Sequence, residues 1–336
     1  MRETDIRPQA LLSEYLRLNA EDGRRLLSRG DTLEPRVCPG CTSAEARDEF
    51  SKNGFKLVRC THCDTLYVNP SPTATALDAF YRDSPSADYW AAVFFPAVAE
   101  ARRSAIYKPR AKRVLEITNR HLNTLRGVLD VGAGAGLFLR EFSEIADNVV
   151  LSAVEPGSAH ATDLQKLGIK TFEGFSDAAA RDPAWKESCD LVTCFEVLEH
   201  VPEPLTLFCD LASLVRPGGL VLVTGLSGSG FDIQTLGAKS KPVSPPHHLT
   251  FLSTDGAEQL VERAGLELLS LTTPGELDVD IVRNVLLEDP DAVTDPFLKH
   301  LLFSDNEDAR NAFQIFLKEQ NLSSHMWIVA RKPGTK

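Results

Sequence analysis

Three sets of residues in this chain have types and spacings that could do chemistry. The first is a row of glycines at alternate positions, Gly132, Gly134 and Gly136, directly behind an apolar stretch that ends in Asp130. Glycine turns at positive φ and lets a ligand approach the backbone closely. A helix opening behind such a loop presents free N–H groups to a carboxylate or phosphate. Residues 128–142 therefore read as a strand–loop–helix cofactor site. The dinucleotide fingerprint G-x-G-x-x-G/A fails here, because its last position is Leu137 counted from Gly132 and Leu139 counted from Gly134. Glu155 ends a second apolar run 19 positions after Gly136. That is close to the spacing at which an acidic residue reaches a pair of ribose hydroxyls.

The second set is four cysteines, Cys38, Cys41, Cys60 and Cys63, spaced C-x2-C-x18-C-x2-C. This lies within the zinc-ribbon range. Four thiolates fill a tetrahedral shell and leave no open position, so a metal held here would be structural. Two disulfides or four idle thiols are the other readings. A cytosolic setting disfavours the first, and the paired knuckles argue against the second. His62 reads as a knuckle residue rather than a ligand. Cys189, Cys194 and Cys209 show no pairing, and the first two flank a strand as small core residues. The third set is His200, His247 and His248, all in segments rich in turn residues.

Elements must position these groups. Apolar runs recur near 128–131, 149–155, 168–172, 189–195 and 216–224, with helix-like stretches between them. Such alternation implies a parallel sheet covered on both faces. The irregular stretch 225–253, rich in Gly, Ser and Pro, follows the fifth run. It would lie past the C-terminal end of a parallel strand, where open α/β sheets bind ligands. Ser253 should cap a helix over 256–264. Residues 10–29 carry apolar positions at helical spacing. Residues 73–122 look helical, with Tyr89, Trp90, Phe94 and Phe95 grouped either in a core or in a lid. The expected division is 1–72 for helices and ribbon, 73–123 for a helical connector or lid, and 124–336 for the sheet domain. A helical insertion at 274–322 would serve as a dimer contact or a substrate cover.

The run D-x-G-x-G-x-G at 130–136 resembles the first motif of the class I S-adenosylmethionine (SAM) methyltransferases. Residues 195–202, Phe-Glu-Val-Leu-Glu-His-Val-Pro, resemble the fourth motif of small-molecule methyltransferases of the ubiquinone-biosynthesis type. The cysteine ribbon, the Tyr-Val-Asn-Pro-x-Pro stretch at 67–72 and Phe80-Tyr81 extend the likeness. Together they resemble bacterial methyltransferases that act on sugars, surface polysaccharides or specialised metabolites, the zinc-bearing sugar C-methyltransferases among them. The resemblance implies a Rossmann-like seven-stranded α/β sheet, with a sixth strand at 266–271 and an antiparallel seventh at 325–330. It also implies SAM as methyl donor and S-adenosylhomocysteine as product. In that frame Gly132, Gly134 and Gly136 lie along the methionyl end of SAM and Asp130 organises their loop. Glu155 binds the ribose, Phe175 and Ser176 border the adenine, and Phe195 and Glu196 close the pocket near the methyl group. The reaction would be an in-line displacement whose rate comes largely from alignment. An oxygen, nitrogen or carbon acceptor must lose a proton, and histidine suits that task. The candidate bases are His200, His247 and His248, ahead of Tyr81, Tyr89 and Tyr107.

Charge narrows the partners. The formal net charge is −11, and residues 1–110 hold 16 Lys/Arg against 15 Asp/Glu. Neither part is basic, which disfavours non-specific nucleic-acid binding. A small-molecule or glycan acceptor is therefore expected. A ribosomal or transfer RNA methyltransferase that grips RNA with its ribbon is the alternative, and a SAM-binding regulatory subunit is a third reading. No apolar run approaches 18 residues, and the N-terminus lacks a signal-peptide core. A cytoplasmic protein is expected, and a homodimer stays among the readings.

Overall fold

The computed structural model describes residues 2–30 and 32–334. Its centre is a seven-stranded sheet. The strands are β1 (Gly127–Val131), β2 (Val150–Glu155), β3 (Lys170–Glu173), β4 (Cys189–Phe195), β5 (Val215–Leu226), β6 (Glu267–Thr272) and β7 (His325–Arg331). Their order across the sheet is β6-β7-β5-β4-β1-β2-β3. The first five strands run parallel, and β7 is antiparallel to both β5 and β6. The sixth and seventh strands thus fall where the sequence reading puts them, each within one residue.

All seven residues of β4 are buried, as expected of a strand covered on both faces. Alternation along the strands then divides the core. Leu129, Val192, Val221 and Ile328 point to one apolar cluster, while Val128, Leu191, Leu222 and Val329 point to the other. The expected cap is present: Ser253 Oγ accepts from the Gly256 N–H at 2.9 Å, and the helix it starts spans Thr254–Arg263. Residues 10–29 form one 19-residue helix, Gln9–Leu27. The insertion holds the helices Asp278–Glu288, Pro296–Phe303 and Glu307–Glu319.

A second sheet belongs to the cysteine ribbon and has four strands, Ala46–Lys52, Phe55–Cys60, Leu66–Val68 and Thr250–Phe251. Its fourth strand comes from the irregular stretch after β5, pairing Thr250 with Tyr67 and Phe251 with Leu66. The ribbon is thereby built into the loop that overhangs the active end of the main sheet. Among the described residues no helix is long and apolar enough to cross a membrane.

Candidate active site

Parallel strands β1, β2 and β4 deliver Asp130, Glu155 and Glu196 to one end of the sheet. The glycine loop begins there. Gly132, Gly134 and Gly136 have φ of +75°, +52° and +70°, conformations that a side chain strains. A Cβ on Gly132 would sit 2.6 Å from Val197, and one on Gly136 would sit 2.5 Å from Leu164, whereas Gly134 has nothing within 4 Å. The loop is therefore packed tight against the protein at both ends and open in its middle. Glu155 holds it in shape: Oε2 accepts from the Gly134 N–H at 2.7 Å and Oε1 from the Gly157 N–H at 2.8 Å. A carboxylate has about four acceptor positions, so two remain for a diol. Asp130 is buried and accepts from Thr193 Oγ1 at 2.7 Å. Burial drives its carboxyl up to about 7, against the pull of that hydrogen bond.

Ser176 donates to Asp210 at 2.8 Å, and Phe175 is 66% exposed. Phe195 lies in the core, against Phe138 and beneath the Arg110 guanidinium, 4.6 Å from its ring centroid. Glu196 occupies the left-handed region at φ +54°, a strain held by its partners. Arg110 Nη2 donates to Oε1 at 2.6 Å, Thr224 Oγ1 at 2.8 Å and His325 Nε2 at 2.9 Å. Burial pushes this carboxyl up, yet His325, Arg110 and the hydrogen bonds outweigh it and hold it well below the usual range.

Sequence reasoning missed Arg110, Thr224 and His325. His325 is the first residue of β7 and faces Leu226 in register. The antiparallel direction of β7 alone was enough to place that residue at the active end.

His200 and His248 come together beside this end, with ring centroids 4.7 Å apart. The pairing has a main-chain cause: Leu249 and Thr250 N–H both donate to the Glu199 carbonyl, at 2.7 and 3.2 Å. Tyr81 Oη lies 3.4 Å from His200 Nδ1, and the Tyr81 side chain is part of the surface beside the cluster. His248 Nδ1 donates to the Pro242 carbonyl at 2.6 Å. A carbonyl only accepts, so Nε2 carries the lone pair. Desolvation, with His248 and His247 alongside, holds His200 well below the imidazole range, and desolvation holds His248 at about 4. Both rings are neutral at physiological pH. Glu199, between them and Glu196, is buried, and burial with the Glu196 charge pushes its carboxyl up to about 8.

His247 is differently engaged. It is buried among Tyr15, Phe80 and Tyr81, with Nε2 2.8 Å from Ser86 Oγ. Ser86 Oγ itself donates to Asp22 Oδ2 at 2.5 Å, so the imidazole donates to Ser86. Ser84 Oγ and the Ser86 N–H also donate to Asp22 Oδ2, at 2.9 and 3.0 Å, and Arg25 Nη2 donates to Oδ1. This network ties residues 244–248 to the N-terminal helix, as does Asn19, whose Nδ2 donates to Ser244 Oγ at 2.5 Å.

The four ribbon cysteines converge. Cys38 and Cys63 sulfurs are 3.5 Å apart, as are those of Cys41 and Cys60, and all four thiols are free. Zinc–thiolate bonds of about 2.3 Å in a tetrahedron require sulfurs roughly 3.8 Å apart, so the spacing fits a metal. The knuckles touch the overhanging loop: Ser253 Oγ donates to the Cys63 carbonyl, and Arg263 Nη1 donates to the Gly40 carbonyl at 2.7 Å. Arg36 bridges the same parts, donating to the carbonyls of Pro202 at 2.5 Å and Leu249 at 2.7 Å.

Comparison with known proteins agrees with this geometry. The family model described as Methyltransferase domain matches residues 100–271, just over half of the chain. A ubiquinone biosynthesis O-methyltransferase from Xanthomonas euvesicatoria is 30% identical over 152 residues, covering 42% of this chain and 62% of the relative. One from Ralstonia nicotianae is 30% identical over 177 residues, covering 48% and 74%. The chain thus spans about three fifths of the first of these. Among solved structures, an O-methyltransferase from a trans-AT PKS multienzyme of Brevibacillus brevis, in complex with S-adenosylhomocysteine, is 15% identical. It covers 71% of this chain and 76% of that one, with a TM-score of 0.47. The open glycine loop, its acidic clamp and the matched domain together place the chain in the methyltransferase-domain family, among the class I SAM-dependent methyltransferases.

Proposed function

We propose that this protein transfers the methyl group of SAM to a small-molecule or glycan acceptor, and that the acceptor loses its proton at the wall formed by Glu199, His200 and His248. The observation that carries this reading is the meeting, at one end of the sheet, of an open glycine loop with a half-buried pair of neutral imidazoles. The residues fit SAM. The open face at Gly134 admits the methionyl end, and Glu155 keeps acceptor positions for the ribose diol. Phe175 and Ser176 lie where the adenine would end. Glu196, anchored by Arg110, Thr224 and His325, borders the methyl group, with Phe195 packed behind it. SAM supplies an electrophilic methyl on a sulfonium. The protein's part is to align donor and acceptor in a dry site and to take the acceptor proton.

In this reading His200 and His248 face the acceptor, and His247 is a positioning residue that acts through Ser86 and Asp22. Cys38, Cys41, Cys60 and Cys63 hold a structural zinc that shapes the overhanging loop. A protein acting on a folded RNA would need a basic face, and the balance of charge here is near neutral over residues 1–110 and acidic over the rest.

The test is label transfer. Purified protein is incubated with methyl-labelled SAM and host extract, and the products are fractionated. Label is expected among small molecules or glycans. Label in nuclease-sensitive polymer would overturn the reading in favour of an RNA substrate. Absence of label from every fraction, with SAM bound, would favour a regulatory subunit.

A further inference from the structure

The rings grouped at Tyr89–Phe95 and the arginines beside them take no part in the proton transfer described above. Trp90 stacks on Phe94 with ring centroids 4.4 Å apart and meets Tyr15 of the helix Gln9–Leu27 at 5.2 Å. Tyr15 lies 5.8 Å from His247, and His247 lies 5.7 Å from Tyr81 and 6.4 Å from His200. An aromatic wall thus runs from Trp90 to the imidazoles that face the acceptor. We propose that Arg7 and Arg102, at the far end of this wall, form a subsite for an anionic group, a phosphate or a carboxylate, carried by the methyl acceptor. The inference rests on the methyl-transfer reading above and deepens it.

Arg102 is a cation without an acid. It is half-buried, with its guanidinium carbon 5.7 Å from the Trp90 ring centre and 5.8 Å from that of Phe95. Its Nε is buried with no hydrogen-bond partner. Buried polar groups are ordinarily paired, so this N–H points to a partner that the chain itself does not supply. Other arginines of the same helical stretch are paired, Arg103 with Glu141 and Arg110 with Glu196. The chain holds 47 acidic against 36 basic residues, so the orphan does not follow from a shortage of acids.

Arg7 follows the helix Glu3–Ile6, which packs against the helix Phe95–Arg102. Its Nη1 stands 4.0 Å from Glu3 Oε1, beyond hydrogen-bond reach, and the other Glu3 oxygen accepts from Asn284 at 2.9 Å. Burial lowers the Arg102 guanidinium from its usual range, and the charge of Arg7 adds to that effect. The same Arg7 charge is felt at Glu199 and at His248. The two arginines therefore face each other and the acceptor wall. Like charges held together repel, and one bound anion removes the repulsion. The planar guanidinium fork matches phosphate and carboxylate oxygens two at a time, and the rings beside it cover the apolar body of such a ligand.

Inorganic pyrophosphate and benzoate serve as probes of the two anion classes. The protein, saturated with S-adenosylhomocysteine and with its ribbon zinc retained, is titrated with each by calorimetry. Saturable binding of at least one is expected. It should weaken at least tenfold in Arg102→Gln and in Arg7→Gln, with SAM affinity in both variants within about threefold of the parent as the control for folding. Preference for pyrophosphate would name a phosphorylated acceptor, and preference for benzoate a carboxylic acid. The labelled product formed from host extract should be retained by an anion exchanger at neutral pH. Binding of neither probe, equal binding in parent and variants, or a labelled product that passes the exchanger would overturn the proposal. A tenfold loss of SAM affinity in the variants would also overturn it, by assigning the arginines to the carboxylate of the cofactor. Failure of the parent to bind SAM would instead remove the methyl-transfer reading itself.

Discussion

The cofactor half of the site and the acceptor half are built on different principles. The cofactor half runs through β1, the glycine loop and β2, and it works through main chain. Its N–H groups are arranged by one carboxylate, and its shape is set by three positive-φ glycines. The acceptor half is assembled from side chains on distant segments, and acidic side chains are buried around it. Asp22, Glu199 and Asp232 are all at most 3% exposed. The first half needs only a strand-to-helix turn to exist. The second needs the ribbon, the N-terminal helix and the stretch after β5 to be in place together. Perturbation should therefore separate them.

The largest expected effect is at Glu155. Glu155→Ala removes one charge-assisted hydrogen bond to the glycine loop, from Gly134, and one to Gly157 just past β2, as well as the proposed ribose contact, each worth about 1.5–3 kcal/mol. SAM affinity measured by calorimetry should fall at least about 100-fold. A loss of less than threefold would mean that the glycine loop holds its shape unaided and that the first half is not organised by this carboxylate.

The same contrast explains what the sequence discloses. Asp130, the three glycines and Glu155 lie within 26 consecutive residues, because a strand–loop–helix–strand unit makes its site from neighbours in the chain. The ribbon is legible for a similar reason, since each knuckle is one tight turn. Arg110 and His325 are not, because they meet Glu196 across 86 and 129 positions. The signal for His325 was indirect, through the direction of β7. His247 and His248 are adjacent and chemically identical in sequence. Only the fold shows that one donates to Ser86 in a buried network while the other keeps a free nitrogen beside His200. Nor does local pattern reveal that residues 250–251 complete the ribbon sheet, because strand pairing is a non-local contact.

An intermediate effect is expected from the ribbon. Cys63→Ser should abolish stoichiometric zinc. The carbonyl of Cys63 receives Ser253, and its Sγ contacts Thr65 at 3.2 Å, so the overhanging loop should loosen with it. Label transfer should drop by roughly tenfold or more, the cost of displaced positioning groups. SAM affinity should stay within about threefold, because the cofactor half lies on other strands. Equal losses of transfer and SAM affinity would erase the proposed division.

The smallest effect concerns a buried acid on the acceptor side and has a pH signature. Asp232 lies in the helix Phe231–Leu236 that follows β5. It is wholly buried. Burial, with Asp278 beside it, pushes its carboxyl up to about 8. In an unfolded chain the same group titrates near 3.9. Between those values the native protein keeps a proton that the unfolded chain has released. Stability therefore falls as pH rises through this window, and the loss is complete above about 8. A carboxamide cannot ionise, so the Asp232→Asn variant should melt close to the parent at pH 4. At pH 8.5 it should melt at least a few degrees higher, with SAM affinity unchanged. Parallel melting curves for parent and variant across this range would show that the buried acid carries no ionisation cost. The acceptor half would then differ from the cofactor half in connectivity alone.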